Sequence, residues 1–183
     1  MKTKLLKNIG LCLLFFVMAI PLTAQESGDC ESSKFEIKEI EAIKSLVIKA
    51  EVTMEEIGDA MGKNYGELFT YTGSNNIQPA GPSFAVYLSW DPEGKVVFES
   101  GVPVAQKESC NDNIVYKEFP AMKVVATLYK GAYEKMEPVY HEMMEYMKAN
   151  KLESTNESWE IYLTDPNEVA PEENQTMIYF RIK

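Results

Sequence analysis

Apolar and polar positions change period along this chain, and they do so twice in the same order. Residues 36–50 are rich in Ile and Val with charged interruptions, which reads as one strand or a bent pair of strands. Ile57, Met61, Tyr65 and Leu68 then follow at helical spacing, and residues 83–90 and 95–104 return to strand-like patterns around the turn Asp91-Pro92-Glu93-Gly94. The second pass places a strand or bent pair over 114–129, a helix, and strands over 158–164 and 175–182 around Asp165-Pro166-Asn167.

Local signals sharpen both helices. Thr53 with Glu56 three residues later makes a capping box for the first, whereas Gly58, Gly62 and Gly66 weaken it by about 1 kcal/mol each if they are interior. In the second, Met136, Tyr140, Met143 and Met147 line one stripe, Val139, Met144 and Tyr146 widen it, and Asn150 is a C-terminal cap. Pro138 requires a start near Glu134, because only first-turn N–H groups have no intrahelical partner to lose. Tyr133 then stands at the helix mouth. The methionines read mainly as core filling.

The order is matched by residues. Lys38-Glu39-Ile40-Glu41-Ala42-Ile43-Lys44 resembles Lys117-Glu118-Phe119-Pro120-Ala121-Met122-Lys123, and Tyr87-Leu88-Ser89-Trp90-Asp91-Pro92 resembles Tyr162-Leu163-Thr164-Asp165-Pro166. The expectation is an α+β fold of two pseudo-symmetric strand-helix-hairpin (βαββ) repeats, about 35–106 and 113–183. Together they form an antiparallel sheet with two helices on one face.

Ahead of that pattern, Lys2, Lys4 and Lys7 precede the apolar run Ile9 to Ile20 and the segment Pro21-Leu22-Thr23-Ala24. This has the form of a secretory signal peptide over 1–24, with a linker over 25–34 and the domain over 35–183. The apolar run is shorter than the roughly 20 residues that span a bilayer, so no membrane insertion is expected after cleavage. The expected location is periplasmic or secreted. The formal net charge of −10 leaves no basic stripe for phosphates, and nucleic acid is not an expected partner. His141 is the only histidine, which excludes a histidine-based metal cluster or catalytic pair; no metal or cofactor is expected. Cys30 and Cys110 survive cleavage and are candidate disulfide partners in an oxidising compartment.

Three segments carry a family resemblance: Gly131-Ala132-Tyr133-Glu134-Lys135-Met136, Glu160-Ile161-Tyr162-Leu163-Thr164-Asp165-Pro166, and Ile178-Tyr179-Phe180-Arg181-Ile182-Lys183. Together they resemble the GyrI-like, or AraC effector-binding, domain over about 36–183. The resemblance implies a pseudo-twofold pair of units with a groove between them that binds organic molecules. Some relatives are sensor halves of transcription activators, one is a gyrase inhibitor, and some hydrolyse reactive small molecules. No helix-turn-helix segment is expected ahead of the domain, and so no direct transcription role, and Arg181 stands where relatives often carry proline.

Alternation along 158–163 puts Trp159, Ile161 and Leu163 on one strand face, expected to pack on the helices, and Glu160 with Tyr162 on the other. Glu160 is the candidate ligand carboxylate, since a partly desolvated carboxylate favours a cationic partner. Tyr162, Tyr87, Tyr133 and Tyr179 are the candidate lining. Tyr87 is the first-half counterpart of Tyr162, and Ala85 that of Glu160, so the pocket should be chemically lopsided.

Three functions follow as expectations. The first is an exported binding domain for hydrophobic, cationic or neutral, organic ligands that acts in sensing or sequestration. The second is a hydrolase using Glu160 with a tyrosine, and the third a protein-interaction or inhibitor module. The export reading has a direct check: intact mass of the soluble extracytoplasmic protein should begin at or near Gln25, and soluble protein retaining residues 1–24 would contradict it.

Overall fold

The computed structural model describes residues 34–91 and 94–183. The expected signal-peptide segment, residues 1–24, and Cys30 lie outside the described residues. Ten elements run in order: β1 Glu36–Ile40, β2 Ile43–Thr53, α1 Ile57–Ser74, β3 Phe84–Ser89, β4 Lys95–Pro103, β5 Val115–Phe119, β6 Met122–Lys130, α2 Glu137–Ala149, β7 Ser154–Tyr162 and β8 Gln175–Ile182. The strands form one antiparallel sheet in the order β1-β6-β8-β7-β3-β4-β2-β5.

That order cannot be flat. Only Glu41 and Ala42 separate β1 from β2, although the two strands stand at opposite ends of the order, and only Pro120 and Ala121 separate β5 from β6. Each chain step advances about 3.8 Å, whereas neighbouring strands lie about 4.8 Å apart. A two-residue link therefore demands that the ends of the sheet curl toward each other. The aromatic packing agrees: Phe119 on β5 and Trp159 on β7 are separated in the order by β2, β4 and β3, yet their ring centroids are 4.7 Å apart.

The links are bends within one long ribbon. Residues pair from Glu36↔Ala126 to Ile40↔Met122, and the same register resumes from Ile43↔Phe119 to Val47↔Val115. The expected strand-or-bent-pair over 36–50 and 114–129 is thus a bent pair in both halves. Pro120 has no N–H for the ladder and pushes Phe119 toward extended backbone, which suits it to the bend.

Both helices start through a 3-10 turn. Thr53 donates its backbone N–H and its hydroxyl to the Glu56 carboxylate, at 3.0 and 2.9 Å, which completes the capping box ahead of α1. The turn Tyr133–Lys135 precedes α2, which begins at Glu137 rather than Glu134 and keeps Pro138 in its first turn. Asn150 caps α2 as expected, and Met136, Met143 and Met147 are buried in the core beneath it. β7 begins at Ser154, earlier than the expected 158, because a bulge between Ser154 and Ser158 interrupts its pattern. Asn156 takes φ 66° there, a conformation asparagine tolerates better than most residues.

One expectation is corrected. Trp159 (1% exposed) and Ile161 do not pack on the helices; they join Phe84, Val86, Phe119 and Val124 in a core on the opposite face of the sheet. Leu163 lies beyond the end of β7 and is 44% exposed. The alternation was right, but curling lets the helix-free face bury side chains against itself, so an apolar stripe need not mark the side on which helices lie. Arg181 continues β8 undisturbed, opposite Val124, with its guanidinium 2.9 Å from Glu157.

Two glycines should respond in opposite ways. A Cβ built at Gly62 on α1 meets nothing within 4 Å, whereas one at Gly101 on β4 would lie 2.3 Å from the Phe84 ring. Gly62→Ala should therefore stabilise by about 0.8–1 kcal/mol through helix propensity, and Gly101→Ala should destabilise by about 1–3 kcal/mol through overpacking. Chemical denaturation of the two variants checks both signs.

Candidate functional site

The middle of the sheet is the β3–β7 pair, where Ala85 stands directly opposite Glu160 and Val86 opposite Trp159. Strand alternation sends Trp159 and Ile161 to the helix-free core and turns Glu160 and Tyr162 toward the helices. Glu160 is 8% exposed.

Its carboxylate accepts three hydroxyls. Tyr140 of α2 donates to Oε1 at 2.5 Å, Tyr162 donates to Oε2 at 2.8 Å, and Tyr87 of β3 approaches Oε2 at 3.3 Å. Tyr162 also touches α1, with its hydroxyl 3.4 Å from Met61 Sδ, and its ring meets those of Tyr65 and Tyr133 edge to face, at 6.0 and 5.9 Å between centroids. Tyr65 is anchored by donating to the Phe84 carbonyl at 2.6 Å. Tyr133, 36% exposed in the turn before α2, forms the outer edge of this aromatic cage.

Burial pushes the Glu160 carboxyl above its ordinary value, and the hydroxyls of Tyr140, Tyr162 and Tyr87 only partly oppose this by stabilising the anion. Burial and the Glu160 charge together raise Tyr87, Tyr140 and Tyr162 well above the usual tyrosine value, so they remain donors. Tyr65 and Tyr133 are raised by the same two causes. The result is a buried acidic group with aromatic walls and hydroxyl donors but no basic side chain against it among the described residues.

Of the expected lining, the structure brings Glu160, Tyr162, Tyr87 and Tyr133 together. It does not bring Tyr179 to them. Tyr179 pairs with Trp159 across β7 and β8 and faces the helix-free side, where it lines a cleft of about 310 Å³ with Ile40, Ile43, Phe84 and Ile161. The twofold alternation of β8 decides this, since Ile178 faces the helices. Cys110 is exposed and unbridged among the described residues, with its sulfur accepting the Tyr116 N–H at 3.2 Å. His141 is exposed, 3.5 Å from Glu137 on its own helix.

Two cage members escaped the sequence reading. In the sequence Tyr140 belongs to the methionine stripe of α2 and Tyr65 to the apolar stripe of α1. The available signal was chemical: a tyrosine inside a buried stripe must find a partner for its hydroxyl, and a phenylalanine would have filled the same space without one.

A curled antiparallel sheet with two helices over a buried, tyrosine-ringed carboxylate defines an α+β domain with an acidic centre. Residues 33–183 match the family model of the GyrI-like small molecule binding domain. The chain belongs to the GyrI-like family. Similar folds include EcmrR in its complex with DNA, at TM-score 0.73 and 19% identity over 81% of this chain, which spans 57% of that longer protein. The EcmrR C-terminal domain matches at TM-score 0.66 and 20% identity, over 81% of this chain and 96% of that domain. A hydrolase from Listeria innocua matches at 0.60 and 14%, over 82% and 92%, and SAV2435 bound to tetraphenylphosphonium at 0.55 and 12%, over 81% and 93%. No curated protein sequence matches the chain significantly.

Because the folded-state pKa of Glu160 is raised, the associated stability is fully present below its ordinary value and is lost as pH rises through the raised one. Ionising the buried Glu160 carboxyl costs the wild-type fold stability that a glutamine at the same place would not lose. Glu160→Gln should therefore melt higher than wild type near neutrality, and the gap should close as pH falls toward about 4.5. Melting curves across that window check the sign; an unchanged gap would show that the carboxyl does not titrate in it.

Proposed function

We propose that this domain binds hydrophobic organic cations between its helices, with Glu160 as the counter-charge, and serves in sensing or sequestration outside the cytoplasm. The observation that carries the reading is the buried Glu160 carboxylate, surrounded by five tyrosines and touched by no basic side chain among the described residues. A protein needing only a filled core would place an apolar residue there, as Ala85 does directly across the strand pair. Tyrosine faces attract cations and cover hydrophobic rings, while the carboxylate selects charge. Membership in a small-molecule-binding family and the fold shared with SAV2435 bound to tetraphenylphosphonium support the ligand class. The export part rests on the residue 1–24 pattern alone.

The groove is further read as the junction of two repeats. Exchanging β1 with β5, β2 with β6, β3 with β7 and β4 with β8 reverses the strand order into itself, which supports that reading. Both helices also end alike, with Asn76 and Lys151 each at φ 55° followed by the apolar residues Ile77 and Leu152.

Hydrolysis is a second reading of the same site. The raised Glu160 pKa is in the direction a general base needs, and a hydrolase shares the fold. Against it, both carboxylate oxygens already accept tyrosine hydroxyls. Glu160→Gln separates the readings. In a binding domain it should weaken a lipophilic cation by about 1.5–3 kcal/mol, the scale of a charge-assisted hydrogen bond, and a neutral analogue of the same shape much less. In a hydrolase it should leave affinity nearly unchanged and slow turnover by roughly 100-fold or more. Calorimetric titration with tetraphenylphosphonium and a neutral tetraphenyl analogue is the test, and equal losses for both would end the cation reading.

A further inference from the structure

The groups facing Glu160 come from every element packed against it: Tyr87 from β3, Tyr140 from α2, Tyr162 from β7 itself, and around them Tyr65 from α1 and Tyr133 from the turn before α2. All are neutral donors. Other charged side chains of these elements point elsewhere. Glu99 of β4 holds Lys117 at 2.6 Å on the helix-free side, opposite in alternation to Phe98 and Ser100, and His141 of α2 is turned to solvent beside Glu137. Three hydroxyls can spread one negative charge, but they cannot cancel it. A buried carboxylate in such a setting has two ways to become neutral: it binds a proton, or it binds a cation from outside.

We propose that the domain exchanges a proton for its organic cation at Glu160, so that acid conditions discharge the ligand. This rests on the cation-binding reading above and adds its regulation. In the empty site the protonated carboxyl is the better-tolerated form. When a cation seats against it, the O–H bond breaks, the electron pair stays on the carboxylate oxygen, and the proton passes to solvent. One cation enters and one proton leaves, so the net charge of the site does not change. Affinity then falls toward tenfold per pH unit below the pKa of the empty site and levels off above it.

Tetraphenylphosphonium is the suitable probe because its charge is permanent, and any pH dependence of its binding belongs to the protein. Titration calorimetry between about pH 4.5 and 8, in two buffers with different ionisation heats, reads both quantities. The expected result is weaker binding at the acid end, approaching tenfold per unit, with release of about half a proton per cation at the midpoint and toward one below it. Glu160→Gln should abolish both effects. Tyr140→Phe removes the shortest donor to the anion, at 2.5 Å, and should move the midpoint to higher pH with the proton count retained. Binding by wild type that is independent of pH and of buffer overturns the exchange and leaves the cation site standing. An unmoved midpoint in Tyr140→Phe overturns it too, since the titrating group is then elsewhere. A folded protein that binds no tetraphenylphosphonium at any pH sinks the cation site itself and the exchange with it.

Discussion

Two dipeptides, Glu41-Ala42 and Pro120-Ala121, hold the architecture to one shape. Each must carry the chain between strands that stand far apart in the sheet order, and a two-residue span permits this only if the sheet curls. Curling gives the sheet two unlike faces. The helix-free face closes on its own aromatic side chains, with Phe84, Phe119 and Trp159 in mutual ring contact. The other face is left to α1, which packs over β2 and β4, and α2, which packs over β6; Met61 and Tyr65 of α1 reach Tyr162 from one side and Tyr133, in the turn before α2, from the other.

The site occupies that meeting point, and its chemistry goes against ordinary core economy. A carboxylate at the centre of a sheet, opposite an alanine, is an unfavourable choice for stability unless something outside the fold compensates it. The surrounding tyrosines limit the penalty without removing it, because hydroxyls donate to the anion but carry no positive charge. The proposed binding of an organic cation and the proposed proton exchange both follow from that imbalance. Tyr140 links that imbalance to the helix layer, since the shortest hydrogen bond to the carboxylate comes from α2 and not from the sheet.

Much was legible in the sequence. The order of strands and helices, the Thr53–Glu56 capping box, the methionine stripe of α2 and the placing of Glu160 and Tyr162 on a shared strand face all follow from short-range rules, which depend on residues only a few positions apart. The resemblance to the GyrI-like family was equally legible, because linear motifs around Tyr133, Glu160 and Tyr179 carry it, and the family model matches residues 33–183.

Tertiary structure decided which face of each strand met the helices and which side chains converged. Trp159 and Ile161 reversed their expected side, and Tyr179 left the expected lining for the opposite cleft, because the curl, a property of the whole strand order, created a second buried face that periodicity cannot distinguish from the first. Tyr65 and Tyr140 joined the carboxylate for the same reason in reverse. Within their own helices they are ordinary members of apolar stripes, and only the docking of α1 on β2 and β4 and of α2 on β6 brings the Tyr140 hydroxyl to Glu160 and the Tyr65 ring to Tyr162. Period and caps are written in neighbouring residues, whereas convergence depends on contacts between residues far apart in the chain, which the sequence encodes only through the complete fold.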